Sequence, residues 1–279
     1  MMLFDMHTHL YSCTLKADAQ NIEAYTEADL ERAAQKEVFF RKEQGIASCI
    51  NCGTPEEWRW MQAFQAEALL SFGIHPWYSD QYEPETYMEA FRACSAVGEI
   101  GMDSVWCNIP LNRQEEVFRK QLTIAADLHK PVVLHTKGQE HRIAQLIRDF
   151  PEKICVHWYS GSIQELQPYL EKDCYFTIGS DFSTKEELHR YMMQKIPADR
   201  LFLESDGIAS IIWAAQEADD KATKWDVKMQ ADAGMLALLP KALNNALKAA
   251  ASEKKLSEDV LSQVMWANRS EFFCDSQNK

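Results

Sequence analysis

Basic residues are in short supply: 29 lysines and arginines stand against 42 aspartates and glutamates, a formal charge of −13. Such a surface repels polyanions on average, so a nucleic-acid substrate would have to be met by a local basic patch or by metal ions. Although 46% of the residues are hydrophobic, no run approaches the roughly 20 apolar residues of a membrane span, and no membrane association is expected. Residues 1–10 carry an acid and two histidines where a secretory leader needs a basic start and an apolar stretch, so export is not expected. Eight cysteines are scattered from Cys13 to Cys274 instead of forming a framework, which suits reduced thiols in a cytoplasm. The one CxxC pair, Cys49/Cys52, lies in an apolar segment and reads as two buried strand residues. Also missing is a glycine-rich phosphate loop, which an open doubly wound sheet would want. No repeat, low-complexity tract or linker divides the 279 residues. A single domain over 1–279 is expected, with no obligate protein partner evident.

Short apolar, β-branched-rich segments recur at 3–7, 46–51, 68–73, 96–100, 132–135, 154–157, 175–178 and 201–204. Helical periodicity fills most of the gaps, at 27–43, 55–66, 84–93, 113–129, 139–150, 162–171 and 184–194, and continues at 233–250 and 257–266. Pro131 punctuates the junction before the fifth strand. Eight strands alternating with helices over this length predict an α/β fold, a (β/α)8 TIM barrel.

Asp5-Met6-His7-Thr8-His9 spaces an acid and two histidines by two residues. Side chains alternate across a strand, so all three are expected on one face, two imidazoles meeting a metal and Asp5 orienting one of them from behind. Glu99, His135, His157 and Asp206 each fall at the end of an expected strand. In this fold the C-terminal ends of the strands build the active site, so six metal-competent side chains converge on one cavity. His75, in Gly73-Ile74-His75-Pro76, belongs to the same ring and is assigned to substrate. His129, His141 and His189 sit among charged helical neighbours and read as surface residues.

Taken as an ordered set, Asp5-x-His7-x-His9, Gly73-Ile74-His75-Pro76, the stretch Val97 to Asp103 (VGEIGMD), Gln114 and Gln121-Leu122, Pro131 to His135, His157-x-x-Ser160-Gly161, Leu203-Glu204-Ser205-Asp206 and Asn268-Arg269 with Phe272-Phe273 resemble the TatD family of metal-dependent deoxyribonucleases, within the amidohydrolase-like barrels. The resemblance implies a two-metal site in which His7, His9 and Asp206 hold one divalent ion, His135 and His157 hold the second, and Glu99 bridges them. Zinc, magnesium or manganese would suit these donors. Asp206 would also take the proton of the attacking water, and Lys137 would contact phosphate. Given the charge, the expected partners are DNA ends or short single strands. The alternative is a small amide, ester or phosphoester substrate. Three departures bear on this: Gly207-Ile208-Ala209 follows Asp206 where the family has Ala-Pro and a basic loop, Trp158-Tyr159 replaces Cys-Phe, and Lys137 replaces an arginine.

Overall fold

The computed structural model describes residues 2–10, 27–183, 185–217 and 235–273. Eight parallel strands close into a barrel in sequential order. They are β1 (Leu3–Thr8), β2 (Ile46–Cys52), β3 (Leu69–Phe72), β4 (Ala96–Gly101), β5 (Val132–His135), β6 (Ile154–Val156), β7 (Tyr175–Ile178) and β8 (Leu201–Leu203). Around them run α1 (Glu27–Glu43), α2 (Pro55–Met61), α3 (Met88–Ala93), α4 (Leu111–Asp127), α5 (Glu140–Leu146), α6 (Ile163–Glu171) and α7 (Glu187–Lys195). After the last strand come α8 (Gly207–Glu217), α9 (Leu238–Lys254) and α10 (Glu258–Phe273). The expected starts at 184 and 233 lie outside the described residues, as do Cys13 and Cys274. Among the described residues no helix is long and apolar enough to cross a membrane.

Local chemistry explains the boundaries. Thr54 caps α2 by accepting from the Glu57 amide, with Pro55 supplying a preset first φ. Ser162 and Glu165 form a reciprocal capping box at α6. The expected helix at 84–93 is a 3-10 turn, Pro84–Tyr87, followed by α3.

Strand residues sort into two apolar layers. Leu3, Ile50, Phe72, Val97, Val132, Leu134, Phe176 and Leu203 belong to the large cluster shared with the helices. Phe4, Met6, Cys49, Ala96, Val133, Cys155, Tyr175 and Phe202 fill the barrel itself. Cys49 and Cys52 are buried, and burial pushes the Cys49 thiol up to about 12, which leaves it inert.

In two places the alternation breaks. Between β1 and β2 the partners run Asp5↔Ser48 and then Thr8↔Ile50, and between β4 and β5 they run Val97↔Val132 and then Ile100↔Leu134. Each break inserts one extra residue on the first strand, a bulge that re-aims the side chains beside it. The expectation that Asp5, His7 and His9 share a face is therefore corrected. Asp5 turns to the helix layer, where Arg41 of α1 donates to it at 2.7 Å and the Ser205 amide and hydroxyl donate at 2.8 and 2.6 Å. None of these hydrogen-bond partners is a histidine.

The N-terminal ends of the strands are closed by α10. Phe272 meets Tyr175 and Phe202 at ring separations of 5.2 and 5.8 Å, and Trp266 and Phe273 both pack edge-on against Phe4. Asn268 donates to the carbonyls of Ala198 and Leu201. The C-terminal segment singled out in the sequence is thus a floor.

Candidate metal centre at the barrel mouth

The opposite end of the barrel gathers the six expected ligand residues. His7 lies in the bulged part of β1 and His9 just past the strand. Glu99 sits inside β4, at its bulge, and not at the strand end. His135 ends β5, and His157 follows β6 by one residue. Asp206 lies three residues past β8 with φ 50°, tied back to β1 by its amide, which donates to the His7 carbonyl at 3.0 Å. Gly207 follows with φ 83°, and a Cβ there would come within 2.6 Å of the His9 carbonyl oxygen. Only glycine lets the chain turn from Asp206 into α8 so close to β1.

Glu99 is the centre of the arrangement. Its Oε2 stands 3.3 Å from Nε2 of His7 and 3.5 Å from Nε2 of His9. Its Oε1 lies 2.6 Å from Nδ1 of His135, 2.6 Å from Nε2 of His157 and 3.6 Å from Nε2 of His75. On the first side Asp206 Oδ1 completes the group, 3.4 Å from His7 and 3.7 Å from His9. Donor atoms sharing one ion at about 2.0–2.2 Å stand roughly 3–3.5 Å apart, which is near the spacing on the His7/His9/Asp206 side. Both ring nitrogens of the buried His7 lack a well-formed hydrogen bond, an arrangement that a bound cation would relieve. The residues present therefore fit a divalent metal.

Carboxylates stand behind two of the imidazoles. His135 turns its other nitrogen, Nε2, to Asp103 Oδ2 at 3.0 Å, and His157 turns Nδ1 to Glu204 Oε2 at 3.3 Å. Asp103 is itself held by the Trp77 indole at 2.8 Å and by the amides of Val105 and Trp106. Glu204 also accepts from the Trp158 amide at 3.0 Å. Such partners fix ring orientation and raise ligand basicity. Both stand within the sequence pattern, in VGEIGMD and in Leu203-Glu204-Ser205-Asp206, but nothing in their spacing marks them as supports.

The charges are set accordingly. Burial opposes ionisation of Glu99, but the imidazoles of His157, His75, His135 and His7 hold its carboxyl well below the ordinary range. For Asp206, burial is again outweighed by the nearby imidazoles of His7, His157 and His9, which bring it down to about 2. His7 is raised to about 9: burial and His157 act against its charge, and Glu99 and Asp206 overcome them. Burial pushes the His75 imidazole down to about 4, so that ring is neutral at pH 7.

A cavity of about 410 Å³ opens over these groups. His75 lines it and also reaches the ligand cluster, grouping with Glu99 and His135 within metal-sharing distance. Lys137 lines it too, bonded to Ser160 Oγ at 2.8 Å and lying 4.5 Å above the Trp106 ring. Arg113, by contrast, is committed to Glu83, Glu116 and the Ser79 carbonyl. Of the three histidines expected at the surface, His129 and His141 are exposed, but His189 is mostly buried, stacked on Phe182.

The segment after Asp206, for which no element was expected, forms α8. Its Ile208 and Ile211 pack on Leu238, Leu239 and Ala242 of α9, which leaves Ala209, Ser210 and Trp213 on the cavity wall.

The sequence profile described as TatD related DNase matches residues 4–274. A metal-dependent hydrolase of Bacillus subtilis, YabD, is 24% identical over 216 residues, 74% of this chain and 80% of that protein. The 3'-5' ssDNA/RNA exonuclease TatD of Pectobacterium parmentieri is 28% identical over 198 residues, 65% of this chain and 75% of that protein. Among solved structures, the TatD homologue YJJV of Escherichia coli superposes with a TM-score of 0.71 at 17% identity, each chain covered to 97%. A TatD family hydrolase of Entamoeba histolytica gives 0.70 at 16%, each covered to 99%.

Proposed function

Because the chain belongs to the TatD related DNase family, we propose that it is a metal-dependent hydrolase that cuts phosphodiester bonds at the ends of single-stranded DNA. The relatives named as metal-dependent hydrolase and as 3'-5' ssDNA/RNA exonuclease support the reaction class. The observation that carries the reading is the division of Glu99: one carboxylate oxygen faces His7 and His9 beside Asp206, the other faces His135 and His157. A residue so divided is suited to bridge two cations. On this reading His7, His9 and Asp206 hold one divalent ion, His135 and His157 the other, and zinc, manganese or magnesium would suit the donors. Bound there, such ions would lower the pKa of a water and polarise the phosphoryl group whose phosphorus that water attacks.

The chain's own groups do the remaining work. Asp206 is an anion at neutral pH, the state a proton acceptor needs. Its Oδ2 is held by Ser210 Oγ at 2.9 Å, so the carboxylate is aimed before substrate arrives. Neutral His75 can donate a hydrogen bond to the phosphate without adding charge, and Lys137 offers a cation at the mouth. A cavity of about 410 Å³ also suits a small phosphoester or amide, the second reading.

The test is metal analysis of the purified protein together with hydrolysis of end-labelled single-stranded DNA by wild type and by Asp206→Asn. Bound divalent metal and a fall in turnover of roughly 10²–10⁴ in the variant are expected. Full activity in a metal-loaded Asp206→Asn protein would remove the assigned role. Failure to bind any divalent metal would remove the proposal.

A further inference from the structure

The metal chemistry accounts for the floor of the cavity but not for its wall. Four indoles line the opening: Trp77, whose Nε1 is tied down to Asp103, and three others, Trp106 after β4, Trp158 after β6 and Trp213 on α8. Trp106 is 53% exposed and Trp213 46%. Large aromatic side chains left this open commonly mark a binding surface. They also touch one another: Trp213 stands edge-on to Trp106 at 6.4 Å and to Trp158 at 6.2 Å. Two of these three are tied to neighbouring groups of the site. The Trp158 amide is gripped by Glu204, the same carboxylate that holds His157, and Trp106 lies under the Lys137 ammonium.

We propose that Trp106, Trp158 and Trp213 form a base-stacking platform, which binds the unpaired nucleobases next to the phosphate held at the metal centre. This rests on the phosphodiester reading above and names how the substrate is gripped. The charge balance makes such a grip necessary. With 42 acids against 29 basic residues, the chain has little to offer a row of phosphates, so affinity has to come from another part of the nucleotide. Every base has a π face, and stacking on an aromatic side chain contributes about 1–3 kcal/mol per base without regard to sequence. A base inside a duplex has its faces occupied by its neighbours. Only an end or a single strand can present one to an indole, and a cavity of about 410 Å³ admits a nucleotide or two but no double helix. The departures from the family pattern at positions 158 and 209 fall on this wall.

The experiment compares a single-stranded pentanucleotide with the same strand carrying abasic residues at its two terminal positions. Both kcat/KM and the quenching of indole fluorescence on binding are recorded, for wild type, Trp106→Ala, Trp213→Ala and Trp213→Phe. Wild type is expected to favour the base-bearing strand by about tenfold or more. That ratio should collapse toward one in the two alanine variants and recover in Trp213→Phe, an outcome general damage to the fold would not produce. A ratio near one in wild type overturns the platform and leaves the nuclease reading standing, as does an unchanged ratio in the alanine variants. If neither strand is cut, the nuclease reading falls, and quenching then decides the platform alone. Quenching by the base-bearing strand and not by the abasic one supports it, and equal or absent quenching overturns it.

Discussion

His135 and His157, which face the same oxygen of Glu99, are each backed by an acid of their own. Asp103 is fully buried and accepts from His135, Trp77 and two amides. Asp103→Asn preserves the shape but removes the charge that keeps His135 basic. Metal affinity should fall by about 10–100-fold, read by competition with a chelator, and retention of wild-type affinity would show that His135 needs no support. His7 gives a second expectation. In metal-stripped protein its pKa is raised to about 9 from 6.5, so its contribution to stability is complete below about 6.5 and drains away as pH rises through about 9. The melting temperature of the stripped protein should therefore drop over that interval, and His7→Gln should flatten the drop; an identical decline in both would assign it elsewhere. The six candidate ligand residues were legible because each is a metal-competent type in or just past an expected strand, although Glu99 proves to lie inside β4. Asp103 and Glu204 were not legible as supports, because their partners lie 32 and 47 residues away and only closure of the barrel brings them together.

Among the elements, the sequence pattern revealed all eight strands and missed what happens inside two of them. Apolar alternation reports which residues face a core, but an extra residue in β1 or β4 leaves that signal almost unchanged while turning His7 and Glu99 to the mouth. For the same reason simple alternation places Asp5 with His7, whereas the bulge leaves it facing Arg41. Its partner, Arg41, shows how α1 is bound to the barrel. The guanidinium is buried and donates to Asp5, Glu37, Ser48 and Thr8, joining α1, β1 and β2. Arg41→Ala leaves Asp5 and Glu37 buried without their cation, which should destabilise the protein by about 3–5 kcal/mol, measured by denaturant unfolding. A loss below about 1 kcal/mol would mean that water or a rearranged side chain replaces it. Helix α8 escaped the reading because its apolar residues, Ile208 and Ile211, find their partners on α9, beyond a stretch of charged sequence.

For the whole molecule, a charge of −13 sets the manner in which DNA can be held. Each phosphate neutralised by a basic residue steepens the salt dependence by about 0.9 in the log–log slope, or about 0.7 on a single strand. A site that grips one phosphate through metal and its neighbours through stacking should show a slope near one between about 50 and about 200 mM salt. A slope of several units, or preferential cutting inside long duplex, would point to a basic track along the backbone.

The floor of the barrel bears on how the protein is made. Phe4 lies in the first strand, Tyr175 and Phe202 in the seventh and eighth, and the rings that cover them, Trp266, Phe272 and Phe273, belong to α10. On the ribosome the strands emerge before their cover. Until α10 is released and docks, a nascent barrel carries an apolar well at one end, while the end that will bind metal is already lined with imidazoles and carboxylates that water wets readily. Its adhesive face during synthesis is thus the one farthest from its chemistry, and a chaperone that shields such chains would meet them from below.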